Sequence, residues 1–182
     1  MATISKLVFA GPVGSGKTTA IQSLSDIEVV STEARASDDV RRMKSSTTVA
    51  MDYGLMKLAN GDQVRLYGTP GQKRFDFMWD ILTENALGLV LMIRGIAVDP
   101  VADLRLYVNE FRDFIDRTSL VVGITHTEGG GWQTHQLICD ELVRMGLPPC
   151  AMDTDARSRT DMSTLIKTMI YSLDPFSGAE QC

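Results

Sequence analysis

The chain has 182 residues, 44% of them hydrophobic and 23% charged, which is ordinary globular usage and excludes a mainly disordered chain. Eighteen Lys/Arg against 23 Asp/Glu leave a net charge of −5, the opposite of the basic field that dominates nucleic-acid binding. No apolar run reaches the ~18 residues of a membrane span, and Met1–Ala10 lacks the pattern of a signal peptide. Cys139, Cys150 and Cys182 are odd in number and late in the chain, so they read as reduced thiols of a cytosolic protein.

In chain order, short apolar runs alternate with amphipathic stretches, the pattern of a mostly parallel sheet covered by helices. Leu7–Ala10 is the first strand, and it enters a glycine-rich turn followed by a predicted helix from Lys17 to about Ser25. Residues 26 to 47 are polar and broken, a connection long enough to suggest a functional loop. Val49, Met51, Tyr53 and Leu55 alternate with smaller or polar residues, and Val64 and Leu66 resume the alternation after Asn60-Gly61. Asn-Gly marks a hairpin, so two antiparallel strands interrupt the α/β pattern. Gly88–Ile93 and Leu120–Ile124 read as fully buried strands. A helix is predicted from Val101 to Arg117 on the spacing of Leu104, Val108, Phe111 and Ile115. Another runs from Thr134 to Met145, stopped by Gly146 and two prolines. Cys150–Met152 is a short strand and Asp161–Tyr171 a last helix, followed by a loose tail from about residue 174. The chain therefore reads as a single domain of about six strands and five helices.

Gly11-Pro-Val-Gly14-Ser15-Gly16-Lys17-Thr18 fits the pattern G-x-x-x-x-G-K-[ST]. Its glycines let the backbone wrap phosphate oxygens, and the helix start behind them favours anions. Lys17 would reach the β- and γ-phosphates, the Thr18 hydroxyl would bind Mg²⁺, and Thr19 continues the helix start. A nucleotide binder, most simply an NTPase, follows from this motif in its strand–helix context.

The segments GPVGSGKTT, STTVAMDYG and LYGTPGQKRF, with Phe77-Met78-Trp79 after it, carry a resemblance to a known family. The chain resembles, from about Ser5 to Tyr171, the bacterial small Ras-like GTPases related to MglA, especially those encoded beside Roadblock-domain proteins. The resemblance implies a Ras-like P-loop α/β fold: a six-stranded, mostly parallel sheet with one antiparallel edge strand and helices on both faces. It implies a switch that binds GTP with Mg²⁺, hydrolyses it to GDP and signals through two loops. Gly71 would meet the γ-phosphate and Gln72 would orient the attacking water, with Lys17 and Thr48 completing the catalytic set. Gly68 stands where Ras-like proteins carry a metal-supporting Asp. The MglA-like pattern takes that carboxylate from the preceding strand, here Asp52, four residues after Thr48, so Thr18, Thr48 and Asp52 form the implied metal set. Thr47 beside Thr48 leaves the register open by one residue.

Base selection departs from the family pattern. Thr125-His126-Thr127-Glu128 stands in place of N-K-x-D: Glu128 offers a longer carboxylate, His126 a ring to stack and Thr125 a hydroxyl for the loop. Ala156 and Arg157 stand where S-A-K would, to offer a backbone N–H and cover the base. Arg41, Arg42 and Arg74 are candidates for an arginine supplied in cis. Phe75, Phe77, Met78 and Trp79 suggest a partner surface. The implied partners are a Roadblock-type regulator and an unknown effector, in the cytoplasm, with any membrane contact made through a partner. Two alternatives stand beside this reading: a nucleotide-dependent interaction module with little hydrolysis, and a P-loop small-molecule kinase.

Overall fold

The apolar runs become one sheet. The computed structural model describes residues 4–31, 51–70, 81–127 and 131–173. Its elements are β1 (Ile4–Ala10), α1 (Lys17–Leu24), β2 (Val30–Ser31), β3 (Asp52–Lys57), β4 (Gln63–Gly68), β5 (Gly88–Arg94), α2 (Pro100–Glu110), α3 (Arg112–Ile115), β6 (Leu120–Thr125), α4 (Gly131–Arg144), β7 (Ala151–Asp153) and α5 (Arg159–Leu173). The strand order is β2-β3-β4-β1-β5-β6-β7. β3 runs antiparallel to β2 and β4, and every other neighbouring pair is parallel.

The α/β class and the mostly parallel sheet agree with the sequence reading, but two details are corrected. Among the described residues the sheet has seven strands rather than six, and its antiparallel strand is not at the edge. β2 pairs outside β3, through Val30↔Tyr53 and Ser31↔Asp52. A strand of two residues is too short to leave a period-two signature, so nothing in the sequence marked it.

Strand alternation sends successive side chains to opposite faces, and each face acquires its own core. Val8, Leu91, Ile93, Val122 and Ile124 meet Leu104, Val108 and Phe111 and, from α4, Ile138 and Leu142. Leu7, Phe9, Val90, Met92 and Val121 meet Ala20, Ile21 and Leu24 of α1 and Met162, Leu165, Ile166 and Met169 of α5. β5 is buried from Gly88 to Ile93, as its unbroken apolar run requires of a strand covered on both sides. Each such Leu or Ile contributes roughly 1.5–3 kcal/mol of transfer free energy.

The Asn60-Gly61 hairpin is present. Gly61 takes φ +88, Asn60 Oδ1 accepts from the Asp62 N–H at 3.1 Å, and Leu58 N–H donates to Asp62 O at 2.9 Å. In β3 the inward positions are Asp52, Gly54 and Met56, while Tyr53 and Leu55, the residues that marked the strand, lie half-buried on the other face. Gly54 permits this. A Cβ there would lie 2.8 Å from Ile21 Cγ2 and 3.0 Å from Ser25 Oγ, so its absence lets α1 lie close on the strand.

The helix expected from Val101 to Arg117 is two helices, broken at Phe111 (φ −98, ψ 14). Its apolar positions all remain buried, because the break turns the chain without changing the face it presents. Asp99 caps α2, its Oδ1 accepting from Ala102 N–H at 2.8 Å, with Pro100 at the first helical position. α4 begins three residues before Thr134, and α5 is longer than expected at both ends. Among the described residues no helix is long and apolar enough to cross a membrane. Cys139 and Cys150 are free thiols.

Glu141 ties α4 to α2. Arg105 Nε and Nη2 donate to its two carboxylate oxygens at 2.6 and 2.9 Å, and Arg144 Nη1 adds a third bond at 3.0 Å. These guanidinium bonds, Arg105's first, hold the Glu141 carboxyl at about 2, below its ordinary 4.5. A depressed folded-state value means that the contribution is complete above the unfolded value. It is then lost as pH falls from about 4.5 through about 2. Acid titration of unfolding should therefore show a smaller loss of stability across that window in Glu141→Gln than in the unaltered chain. Equal slopes would remove Glu141 from the acid response.

Candidate functional site

β1, β4, β5 and β6 all run out at the same edge of the sheet, where ligands of open α/β sheets bind. The loop after β1 can be built only with glycine at its key places. A Cβ on Gly11 (φ +138) would lie 2.1 Å from Met92 O, and Gly16 (φ +94) is the left-handed residue from which α1 starts. No side chain caps α1, so its first-turn N–H groups find no side-chain acceptor at the cap. Lys17 folds back across the loop, donating from Nζ to Gly11 O and Pro12 O at 2.8 Å each. Ser15 is fully buried with its Oγ unpartnered. The result is a turn of backbone donors with a cation at its mouth.

Thr18 and Asp52, 34 residues apart, meet beside this loop. Thr18 Oγ1 donates to Asp52 Oδ2 at 2.5 Å, and Asp52 is buried at the start of β3. Gly68, the β4 partner of Asp52, leaves room for that carboxylate: a Cβ there would lie 3.2 Å from Asp52 Oδ2. A hydroxyl and a carboxylate are hard oxygen donors of the kind Mg²⁺ accepts. Among the described residues no group of three or more His, Cys, Asp or Glu could hold a metal by itself. This donor set suits an ion that keeps waters and takes ligand oxygens, as Mg²⁺ does with phosphates.

On the other side of the loop, Thr125 ends β6. Its hydroxyl lies 3.0 Å from Ser15 O and 3.3 Å from Ile93 O, joining the loop to two strands. His126 follows with φ +54, a left-handed backbone uncommon outside glycine, and its Nδ1 lies 3.0 Å from Thr125 Oγ1. Next to them opens a cavity of about 490 Å³. Gly16, Thr19, Thr125, His126, Ala156 and Arg157 line it, together with Thr127, Asp153, Thr154, Asp155 and Asp161. Gly16 and Thr19 thus link the loop to the cavity, and Ala156 Cβ lies 3.1 Å from where a Gly16 Cβ would be.

The Thr154–Ser158 turn is fixed by its own polar groups. Arg157 donates from its backbone N–H, Nε and Nη2 to Asp155, at 2.9, 2.9 and 2.8 Å. These bonds, the guanidinium's first, hold the Asp155 carboxyl at about 2. Asp161, the third residue of α5, accepts from the Asp155 N–H at 3.0 Å and from Ser158 Oγ at 2.9 Å.

The structure therefore brings together Gly11, Gly14, Ser15, Gly16, Lys17, Thr18, Thr19, Asp52, Thr125, His126, Ala156 and Arg157 at one edge. Thr48, Gly71, Gln72 and Glu128 lie outside the described residues, as do Thr47, Arg41, Arg42, Arg74 and the cluster Phe75, Phe77, Met78 and Trp79. Sequence reasoning missed Asp161, which lines the cavity from α5, and Arg94, the lone charge closing the apolar β5 run, whose Nη1 comes within 3.9 Å of where a Cβ on Gly14 would lie. That placement at a strand's carboxyl end was the available signal for Arg94. No protein-family model matches the chain, and no curated protein does.

Proposed function

We propose that this chain is a guanine-nucleotide switch of the Ras-like P-loop type, which binds GTP with Mg²⁺ and hydrolyses it to GDP and phosphate. The observation that carries the reading is a convergence at one sheet edge. The Gly11–Thr18 loop with Lys17 across it, the Thr18–Asp52 pair and the 490 Å³ cavity come from distant segments. In order, they offer an anion cradle, hard oxygens and a slot for a flat heterocycle.

In this reading the loop N–H groups and Lys17 hold the β- and γ-phosphates. Thr18, through its hydroxyl, and Asp52, through its carboxylate, would hold the metal on this side of the loop. Mg²⁺, when bound, neutralises charge on the phosphate oxygens. Thr125 keeps the loop and the base cavity in register. The acceptor-only carboxylate of Asp153 on the cavity wall favours a base edge rich in N–H donors, as guanine's is. The resemblance adds Thr48 and Gly71 as sensors of the γ-phosphate, Gln72 as the residue that orients water, and Glu128 as a further base contact. It also supplies a Roadblock-type regulator and an unknown effector that reads the switch loops.

The test is competition of GTP, GDP and ATP for a fluorescent guanine nucleotide in Mg²⁺ buffer, followed by single-turnover phosphate release. Guanine nucleotides should displace the probe and ATP should not. Gln72→Leu should bind GTP as the unaltered chain does while releasing phosphate at least about tenfold more slowly. Equal displacement by ATP would overturn guanine selection. No phosphate release, with or without partner, would favour an interaction module over an enzyme. Phosphate appearing on an acceptor molecule would make the chain a kinase.

A further inference from the structure

Arg94 is the last residue of β5, and its placement is not explained by the packing around it. Val90 and Met92, four and two residues earlier, face α1 and α5, so alternation puts Arg94 on that same side of the strand. There its Nη1 comes within 3.9 Å of where a Cβ on Gly14 would lie, against the middle of the phosphate-cradle loop. Its Nε is completely buried and has no hydrogen-bond partner. Among the described residues no carboxylate forms an ion pair with it, although Asp103 feels its charge from further off. The other cations of the site are engaged: Arg157 by Asp155, and Lys17 by two carbonyls.

A guanidinium is charged at every relevant pH, and its planar set of five N–H donors matches phosphate oxygens. Buried donors in folded proteins are nearly always paired, so an orphan donor beside an anion cradle calls for an acceptor that arrives with the ligand. The side of the cradle can be specified too. Thr18 and Asp52 mark the metal side of the loop. Arg94 stands on the opposite side, in register with Thr125 and next to the wall of the base cavity.

We infer that Arg94 is a nucleotide-contacting residue that donates to the α/β-phosphate segment of a bound nucleoside di- or triphosphate. This rests on the nucleotide reading given above. The −5 net charge and the carboxylates of Asp153, Asp155 and Asp161 around the cavity make such a local cation consequential for a polyanionic ligand.

The experiment measures fluorescent GDP and GTP affinities of the unaltered chain, Arg94→Ala and Arg94→Lys. It adds the unfolding midpoint without nucleotide. Arg94→Ala should weaken GDP and GTP alike by about tenfold. Arg94→Lys should recover part of the loss, and the unfolding midpoint without nucleotide should stay where it was. Should Arg94→Ala fail to fold, Arg94→Gln keeps most of the stem without the charge and carries the same comparison. Unchanged affinities would overturn the assignment, as would a loss confined to GTP, which would move the contact to the γ-phosphate. A matching loss of midpoint without nucleotide, unrelieved by Arg94→Lys, would reduce Arg94 to packing. If the unaltered chain binds neither nucleotide, the nucleotide reading itself falls; if it binds both and Arg94→Ala binds equally, only this inference falls.

Discussion

Lys17→Ala should weaken guanine-nucleotide binding by at least about a hundredfold while leaving the chain folded. Lys17 Nζ already donates to Gly11 O and Pro12 O, both at 2.8 Å, so the ammonium is held over the cradle before any ligand arrives. On the proposed reading, binding exchanges neutral carbonyl acceptors for phosphate oxygens, which converts ordinary hydrogen bonds into charge-assisted ones. Each bond to a charged group is worth roughly 1.5–3 kcal/mol, and two such bonds correspond to about two to four powers of ten in affinity. Titration with a fluorescent guanine nucleotide gives the constant directly. The shift of the unfolding midpoint by excess GDP gives it independently, since a ligand that binds only the folded state stabilises by mass action. The alanine variant should show almost no such shift. Retention of affinity within threefold would mean that the nucleotide is not seated in the Gly11–Thr18 loop. Lys17→Arg should not restore binding, because the longer planar group cannot occupy the space of a compact ammonium between two carbonyls.

That Lys17 was legible in the sequence while Arg94 was not has a physical cause. The cradle is contiguous: its glycines, its lysine and its threonine are fixed by the local geometry of one strand–loop–helix turn, so spacing alone encodes it. Arg94 and Asp161 reach the same edge through strand order and helix packing, which no local spacing records. The same division runs through the fold. β5 was readable because a strand covered on both faces needs an unbroken apolar run, and the hairpin because Gly61 must take a positive φ. β2 was not, since two exposed residues that only extend an existing sheet edge need no pattern. The break at Phe111 was hidden because the residues on either side of it bury the same face. In β3 the apolar residues were the visible ones, yet the inward positions belong to Asp52, Gly54 and Met56. A carboxylate and a glycine there serve the site and the approach of α1, so hydrophobic periodicity misreports which face is buried. The pairing of Thr18 with Asp52 was anticipated through a family resemblance, not through spacing. Its geometric reason is that β3 starts where β4 ends, which brings residue 52 against residue 68 at the site edge.

That adjacency makes Gly68 and Asp52 alternative homes for one carboxylate. Gly68→Asp, which writes in the acid that Ras-like proteins carry at this place, should impair the protein. A Cβ on Gly68 would lie 3.0 Å from Ile21 Cδ1, 3.1 Å from Asp52 Cβ and 3.2 Å from Asp52 Oδ2. Overpacking of this sort costs about 1–3 kcal/mol. The new carboxylate would also stand against an existing one, and two acids in one site resist ionising together. Asp52 would be pushed off Thr18 Oγ1, so Mg²⁺-dependent nucleotide binding should fall by more than in Asp52→Ala, for which about a tenfold loss is expected. The double variant Gly68→Asp with Asp52→Ala removes the repulsion and the contact at Asp52 Oδ2, leaving those at Ile21 Cδ1 and the Cβ of residue 52, while keeping one carboxylate at the edge. It should recover stability and part of the Mg²⁺ dependence lost in Gly68→Asp. Nucleotide affinity across a Mg²⁺ titration, with denaturant unfolding beside it, measures all three variants on one scale. If the two substitutions simply add, residues 52 and 68 act independently and the shared-carboxylate account fails. An unchanged Mg²⁺ titration in Asp52→Ala would remove Asp52 from the metal side altogether, whatever Gly68→Asp does.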